Sequence, residues 1–241
     1  MVCAVPDPVH RIHPTLGSRM LLSLNFRVIG ETLPDYWAGF LSTLSISLTA
    51  FAGAIAIGII ACAMSIQPSR LVRAPAVAYV DVIRATPLLA QLYFLYFGLP
   101  NFGVIMPEIM IGIIALSINS GAYVSEIIRS GIMSISRGQV EASASSGMTY
   151  WQQMRLIILP QALRPMVSPM IGQAIVLVKD SSLLSLISVL ELTRAGQTLA
   201  NDRFMPVEGL TTTAVGYLII YFGLKLMAMA WMRINQSSAR H

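Results

Sequence analysis

Residues 37–66 read WAGFLSTLSISLTAFAGAIAIGIIACAMSI, from Trp37 to Ile66, with no charged side chain among them. A helix crossing the hydrocarbon core of a bilayer takes about 20 predominantly apolar residues, and this run exceeds that. It also carries Ala50, Ala54, Gly58 and Cys62 at four-residue spacing, a stripe of small side chains on one helical face. Such a stripe lets a second helix approach closely. An alanine-rich helix also produces one by chance, so both readings stand at this point.

The rest of the chain has the same character. Of its 241 residues 55% are hydrophobic and 11% charged, where a soluble domain carries about 25% charged residues. Mean hydropathy is +0.69. The class is therefore membrane rather than soluble. The net charge of +5 fits basic residues flanking spans better than a nucleic-acid partner, and no nucleic acid is expected. Cys3 and Cys62 have neither disulfide nor metal-ligand spacing. His10, His13 and His241 lie near the termini and read as solvated tails. The short apolar run Met20–Leu24 is too small for a signal-peptide core.

Residues 1–36 thus read as an N-terminal tail, and residues 37–241 as a transmembrane domain. Five spans are expected, at about 37–66, 76–99, 104–128, 166–190 and 211–232. With five, Arg70 and Arg73, then Arg129, Arg137, Arg155 and Arg164, then Arg233 and Arg240 all fall on one side. The positive-inside rule makes that side cytoplasmic, with the N-terminus outside and the C-terminus inside. Arg11, Arg19 and Arg27 in the tail oppose this assignment, at a distance where the rule weakens.

The segment from Ser136 to Pro165 has its own grammar. Ser136 with Gln139, and Thr149 with Gln152, have capping-box spacing. Gly147 suits the left-handed position beyond a helix end. The spacing predicts a short helix exposing Ala142, Ser143, Ala144, Ser145 and Ser146, a sharp turn, and a second helix that stops near Pro160.

Within it, Glu141-Ala142-Ser143, three residues, Gly147, nine residues, then Ile157-x-Leu159-Pro160 resembles the EAA loop of binding-protein-dependent ABC importers. Ser143 stands where that pattern has alanine. Arg84-Ala85-Thr86-Pro87-Leu88-Leu89, Tyr96-Phe97-Gly98-Leu99-Pro100, Pro160-Gln161-Ala162, Lys179-Asp180-Ser181-Ser182-Leu183 and Val189-Leu190-Glu191-Leu192 are similar to stretches of the polar amino acid branch of these permeases.

The resemblance implies an all-α membrane protein with the fold of a type I ABC importer permease, multi-pass in a bacterial cell inner membrane. It implies that Glu141, Ala142, Ser143, Gly147, Ile157, Leu159 and Pro160 form the coupling segment gripped by a cytoplasmic ABC ATPase dimer. A second permease subunit, identical or homologous, and an extracytoplasmic solute-binding protein are the other implied partners, besides the lipid bilayer. The chain has no G-x-x-x-x-G-K-[ST] loop, so cofactors are expected only as ATP and Mg on the partner ATPase.

Polar side chains also interrupt the spans. Lys179, Asp180, Ser181 and Ser182 follow an apolar run, Met166–Val178, that is too short to cross alone. Either they lie deep in the membrane or the helix breaks there. In the third span Asn119, Tyr123 and Glu126 share one face at i, i+4, i+7, beside Ser120. A charge at membrane depth costs roughly 2.5–3.5 kcal/mol on insertion scales and needs a partner or a wet cavity. Two readings follow: these groups pair across helices to fix packing, or Asn119, Ser120, Tyr123, Glu126, Lys179, Asp180 and Ser181 line a substrate path. Asp81 and Arg84, one turn apart, have ion-pair spacing, and Arg84 can snorkel to the interface. Pro87 is expected to bend its helix. The methionines scattered through the spans read as packing residues.

A membrane enzyme is disfavoured by the absence of H-E-x-x-H and G-x-S-x-G signatures. A gradient-driven carrier is disfavoured because five spans do not divide into two equal repeats. The expected role is a permease translocating a polar or charged amino acid, or a related small solute, by alternating access.

Overall fold

The computed structural model describes residues 27–237, with side chains to Met229. The described chain is built from helices joined by short turns: α1 (Arg27–Ser65), α2 (Arg70–Ala85), α3 (Leu88–Tyr93), α4 (Glu108–Met133), α5 (Arg137–Ser145), α6 (Tyr150–Gln153), α7 (Leu159–Asp180), α8 (Leu192–Asp202) and α9 (Pro206–Ser237). Four runs are long and apolar enough to span a membrane among the described residues, and α2 with the segment after it makes a bent fifth. That agrees with five expected spans.

α1 and α4 form the centre of the bundle, and the small-residue stripe is where they meet. Ala50, Ala54, Gly58 and Cys62 are all buried. A Cβ on Gly58 would come within 2.5 Å of Val124 Cγ1, and one on Gly53 within 2.6 Å of Ser117 Oγ. In lipid no hydrophobic force drives helices together, so this close approach is what holds the pair. Ser117 Oγ adds a hydrogen bond to the Ala50 carbonyl at 3.1 Å. Around this seam Ile46, Leu92, Leu116, Leu177, Leu184 and Ile187 form the packed core.

Boundaries depart from the expectation where packing outweighs hydropathy. Residues 27–36, expected in the tail, are helical, and residues 1–26 lie outside the described residues. Val28 and Tyr36 pack with Leu192, Leu199 and Ile220, and the Tyr36 hydroxyl donates to the Gly209 carbonyl at 2.8 Å. Those contacts extend α1 despite Glu31, Pro34 and Asp35.

The second span is not one helix. Thr86 is extended at φ −110°, ψ 142°, as a residue preceding proline tends to be, and the two arms meet at 107°. The arm beyond Pro87 continues from α3 through a π-helical turn, Phe94–Gly98, and a 3-10 turn, Leu99–Phe102.

The expected stop near Pro160 does not occur. Helix continues from Tyr150 to Ile187. A π-helical turn at Met154–Ile158 shifts the hydrogen-bond register just ahead of Pro160, so the missing N–H falls where the ladder is already interrupted. Lys179 and Asp180 do mark a change: from Ser181 to Ile187 the helix tightens to 3-10 form.

Candidate functional site

Two sites were expected, and the structure gives each a geometry. The first lies between the third and fourth spans. Of the two capping boxes only the second forms: Thr149 N donates to Gln152 Oε1 at 2.8 Å, and Gln152 N donates to Thr149 Oγ1 at 3.5 Å. Ser136 makes no side-chain cap; the Gln139 amide bonds to its backbone carbonyl. Gly147 takes φ +78°. Its N–H bonds to the Ala144 carbonyl, and the Met148 N–H bonds to the Ser143 carbonyl. That pair of bonds is a Schellman closure. Glu141 and Ala142 are exposed, as are Ala144, Ser145 and Ser146. Ser143, expected on the exposed surface, is instead the buried residue of α5, and its hydroxyl donates to the Val140 carbonyl. The small side chain at this third position therefore serves packing beneath the helix. Ile157 is half-buried, while Leu159 and Pro160 are exposed.

The second site is a cavity of about 390 Å³ between α2, α4 and α7, lined by Arg84, Tyr123, Glu126, Pro165, Pro169 and Gln173 among others. Glu126 accepts from Arg129 Nε at 2.9 Å and Nη2 at 2.7 Å, a bidentate pair. Arg84 Nη1 stands 3.9 Å from the same carboxylate, and the Arg84 guanidinium lies over the Tyr123 ring, 5.3 Å from its centroid. The expected Asp81–Arg84 pair is thus replaced. Arg84 turns toward α4 because the break at Thr86-Pro87 leaves it on the last turn of α2, facing that helix.

Asn119, Ser120, Tyr123 and Glu126 do share a polar strip on α4. Asn119 Nδ2 donates to Gln91 Oε1 at 3.1 Å, and Gln173 Nε2 donates to Ser120 Oγ at 3.2 Å. Asn119 and Ser120 are not among the residues lining this cavity, and neither are Lys179, Asp180 and Ser181. The last three sit about 9 Å or more farther along the helix axis from Gln173, at a 1.5 Å rise per residue. Ser181 is fully buried, and its hydroxyl donates to the Val178 carbonyl. Neither Lys179 nor Asp180 forms an ion pair among the described residues.

Sequence reasoning passed over Gln91 and Gln173. Each is a lone polar side chain inside an apolar run, and that isolation is itself a signal at membrane depth. It also passed over Glu191, which caps α8. The Glu191 carboxylate accepts from the amides of Thr193 and Arg194 at 2.8 Å each, and from the Tyr217 hydroxyl at 2.8 Å. Burial raises its pKa, against these hydrogen bonds, which lower it. In sequence Glu191 falls between the candidate spans that end at Ile187 and begin at Pro206, and a Cβ on Gly39 of α1 would crowd its carbonyl.

Comparison with known proteins gives a consistent picture. Residues 54–241 match the family described as binding-protein-dependent transport system inner membrane component. The chain is 35% identical over 203 residues to the probable glutamine ABC transporter permease protein GlnM of Bacillus subtilis, covering 84% of this chain and 94% of that one. It is 35% identical over 201 residues to the glutamine transport system permease protein GlnP of Escherichia coli, covering 83% and 92%. The solved structure of an amino acid ABC transporter with histidines matches with a TM-score of 0.84 at 32% identity, over 88% of this chain and 99% of that one.

Proposed function

This chain belongs to the family of binding-protein-dependent transport system inner membrane components, and from that premise we propose how it moves its solute. It is a multi-pass inner-membrane permease subunit of an ABC importer. The solute is a zwitterionic amino acid, taken along the α4 face that carries Tyr123 and Glu126. A separate ATPase, holding ATP and Mg, drives it from the segment around Glu141.

One element supports this reading above all. The helix from Tyr150 to Ile187 starts at the capped turn that directly follows α5, so a displacement of α5 is passed on to it through that short turn. The same helix carries Pro165, Pro169 and Gln173 on the cavity wall. Displacing α5 therefore displaces one wall of the cavity relative to α4, which is the lever that rigid-body alternating access needs.

Chemistry supports the solute class. An α-ammonium finds a carboxylate in Glu126, and an α-carboxylate finds a guanidinium in Arg84, which remains 45% exposed on its side chain. Charged groups facing a wet cavity avoid the insertion penalty they meet in lipid. A second permease subunit closes the open side of Arg84, and an external binding protein delivers the solute. The basic residues Arg70, Arg73, Arg137, Arg155 and Arg164 support a cytoplasmic coupling side, with the N-terminus outside and the C-terminus inside.

The test is uptake of radiolabelled L-glutamine and L-arginine into proteoliposomes holding the complete transporter. Uptake of at least one amino acid that requires ATP on the coupling side supports the reading. Uptake driven by an ion gradient without ATP contradicts it.

A further inference from the structure

The corner between α2 and α3 is closed by a single side chain. At a helix end the last carbonyls lack intrahelical partners, and Pro87 brings no N–H to satisfy them. Gln91 supplies the donors from the other arm. Its Nε2 donates to the Ile83 carbonyl at 2.9 Å, to Thr86 Oγ1 at 2.8 Å and to the Thr86 carbonyl at 3.2 Å. Thr86 Oγ1 in turn donates to the Val82 carbonyl at 2.9 Å. The other end of the same amide, Oε1, accepts from Asn119 on α4.

The two arms also meet α4 at adjacent residues. On the α2 side the Tyr79 hydroxyl donates to the Ile118 carbonyl at 2.6 Å, and on the α3 side Gln91 holds Asn119. Arg84, one residue from the Ile83 carbonyl that Gln91 grips, reaches Tyr123 and Glu126 one and two turns farther along the same α4 face. The corner is thus clamped from both arms, and the direction in which Arg84 leaves α2 is set by the clamp.

We propose that Gln91 is a positioning residue of the transport site: it locks the α2–α3 corner to α4 and thereby aims Arg84 at Tyr123 and Glu126. Gln91 does not line the cavity itself; it acts through Arg84. The α2–α3 corner and α4 then move as one body, and the cavity opens and closes against α7. This inference rests on the reading of Arg84 and Glu126 as the solute site.

The test is a double-mutant cycle on initial rates of ATP-driven L-glutamine or L-arginine uptake, whichever is transported, by the complete transporter, normalised to permease in the bilayer. Arg84→Ala comes first. Unchanged uptake there removes the solute-site reading, and the Gln91 proposal with it. If Arg84→Ala is impaired, Gln91→Leu is expected to lower uptake about five- to tenfold, on the scale of one or two buried hydrogen bonds. In the Arg84→Ala background the same change is expected to add little, because residues acting through one another are not additive. A Gln91→Leu loss that multiplies in full with that of Arg84→Ala overturns the proposal, as does a Gln91→Leu variant with normal uptake. Where Gln91→Leu inserts poorly, Gln91→Asn and the swap Gln91→Asn with Asn119→Gln take its place. The swap restores reach between α3 and α4 and is expected to recover several-fold of the loss, and failure to recover any overturns the proposal.

Discussion

At Glu126 one carboxylate faces two guanidinium groups, Arg129 in a bidentate pair and Arg84 at 3.9 Å. With its side chain 26% exposed, the pair is neither a surface bridge of little value nor a fully desolvated one. Glu126→Gln leaves both arginines without their counter-charge and is expected to reduce uptake about tenfold, or about 1.4 kcal/mol, measured in proteoliposomes against equal permease. Glu191 gives a second test at this scale, through pH. Its folded-state pKa lies above the ordinary carboxylate value because it is buried. The folded state therefore holds the proton more tightly than the unfolded chain. Its stability contribution is complete below the ordinary carboxylate pKa and is lost as pH rises through the raised value. Thermal unfolding of the purified permease is expected to fall in temperature across that window, and Glu191→Gln to flatten the slope. The sequence carried part of this residue chemistry. The i, i+4, i+7 spacing of Asn119, Tyr123 and Glu126 was enough to put them on one face. That Arg84 would join them from another helix was not legible, because its direction depends on a corner closed by Gln91, a contact between residues far apart in sequence.

Elements show the same division. The turn at Gly147 is written locally: a Schellman closure needs a residue at positive φ, and Gly147 takes +78°. Gly147→Val forces a β-branched residue into that conformation at a cost of about 1–2 kcal/mol. It is expected to lower stimulation of the ATPase by solute-loaded binding protein while leaving the amount of permease unchanged. The α1–α4 seam was legible as a stripe but not as a contact, since spacing alone does not name a partner. Gly58→Leu places atoms where Val124 already stands, and overpacking of this kind costs about 1–3 kcal/mol. Monodisperse, folded permease recovered by size exclusion is expected to fall sharply. The helix through Pro160 was illegible for a different reason: proline reads as a stop unless a π-helical turn precedes it, and that turn has no signature in the residues themselves.

For the whole molecule, span number and helical class followed from the length of the predominantly apolar runs, which needs no tertiary information. Where the sides of α7 point did not, since that depends on how far the helix runs back toward α5. In the described chain one continuous helix, Tyr150–Ile187, runs from the turn behind the exposed hairpin at Glu141 to the cavity wall at Pro165, Pro169 and Gln173. That connection is worth nothing to transport unless something grips the hairpin. The most direct measurement is site-specific cross-linking from Ala142→Cys, next to Glu141, in membranes containing the co-expressed ATPase. Expected is a covalent adduct between the permease and the ATPase, with the cysteine labelled by impermeant reagents only from the cytoplasmic face. Labelling from the external face, or no adduct with any ATPase while the transporter remains active, contradicts the mechanism.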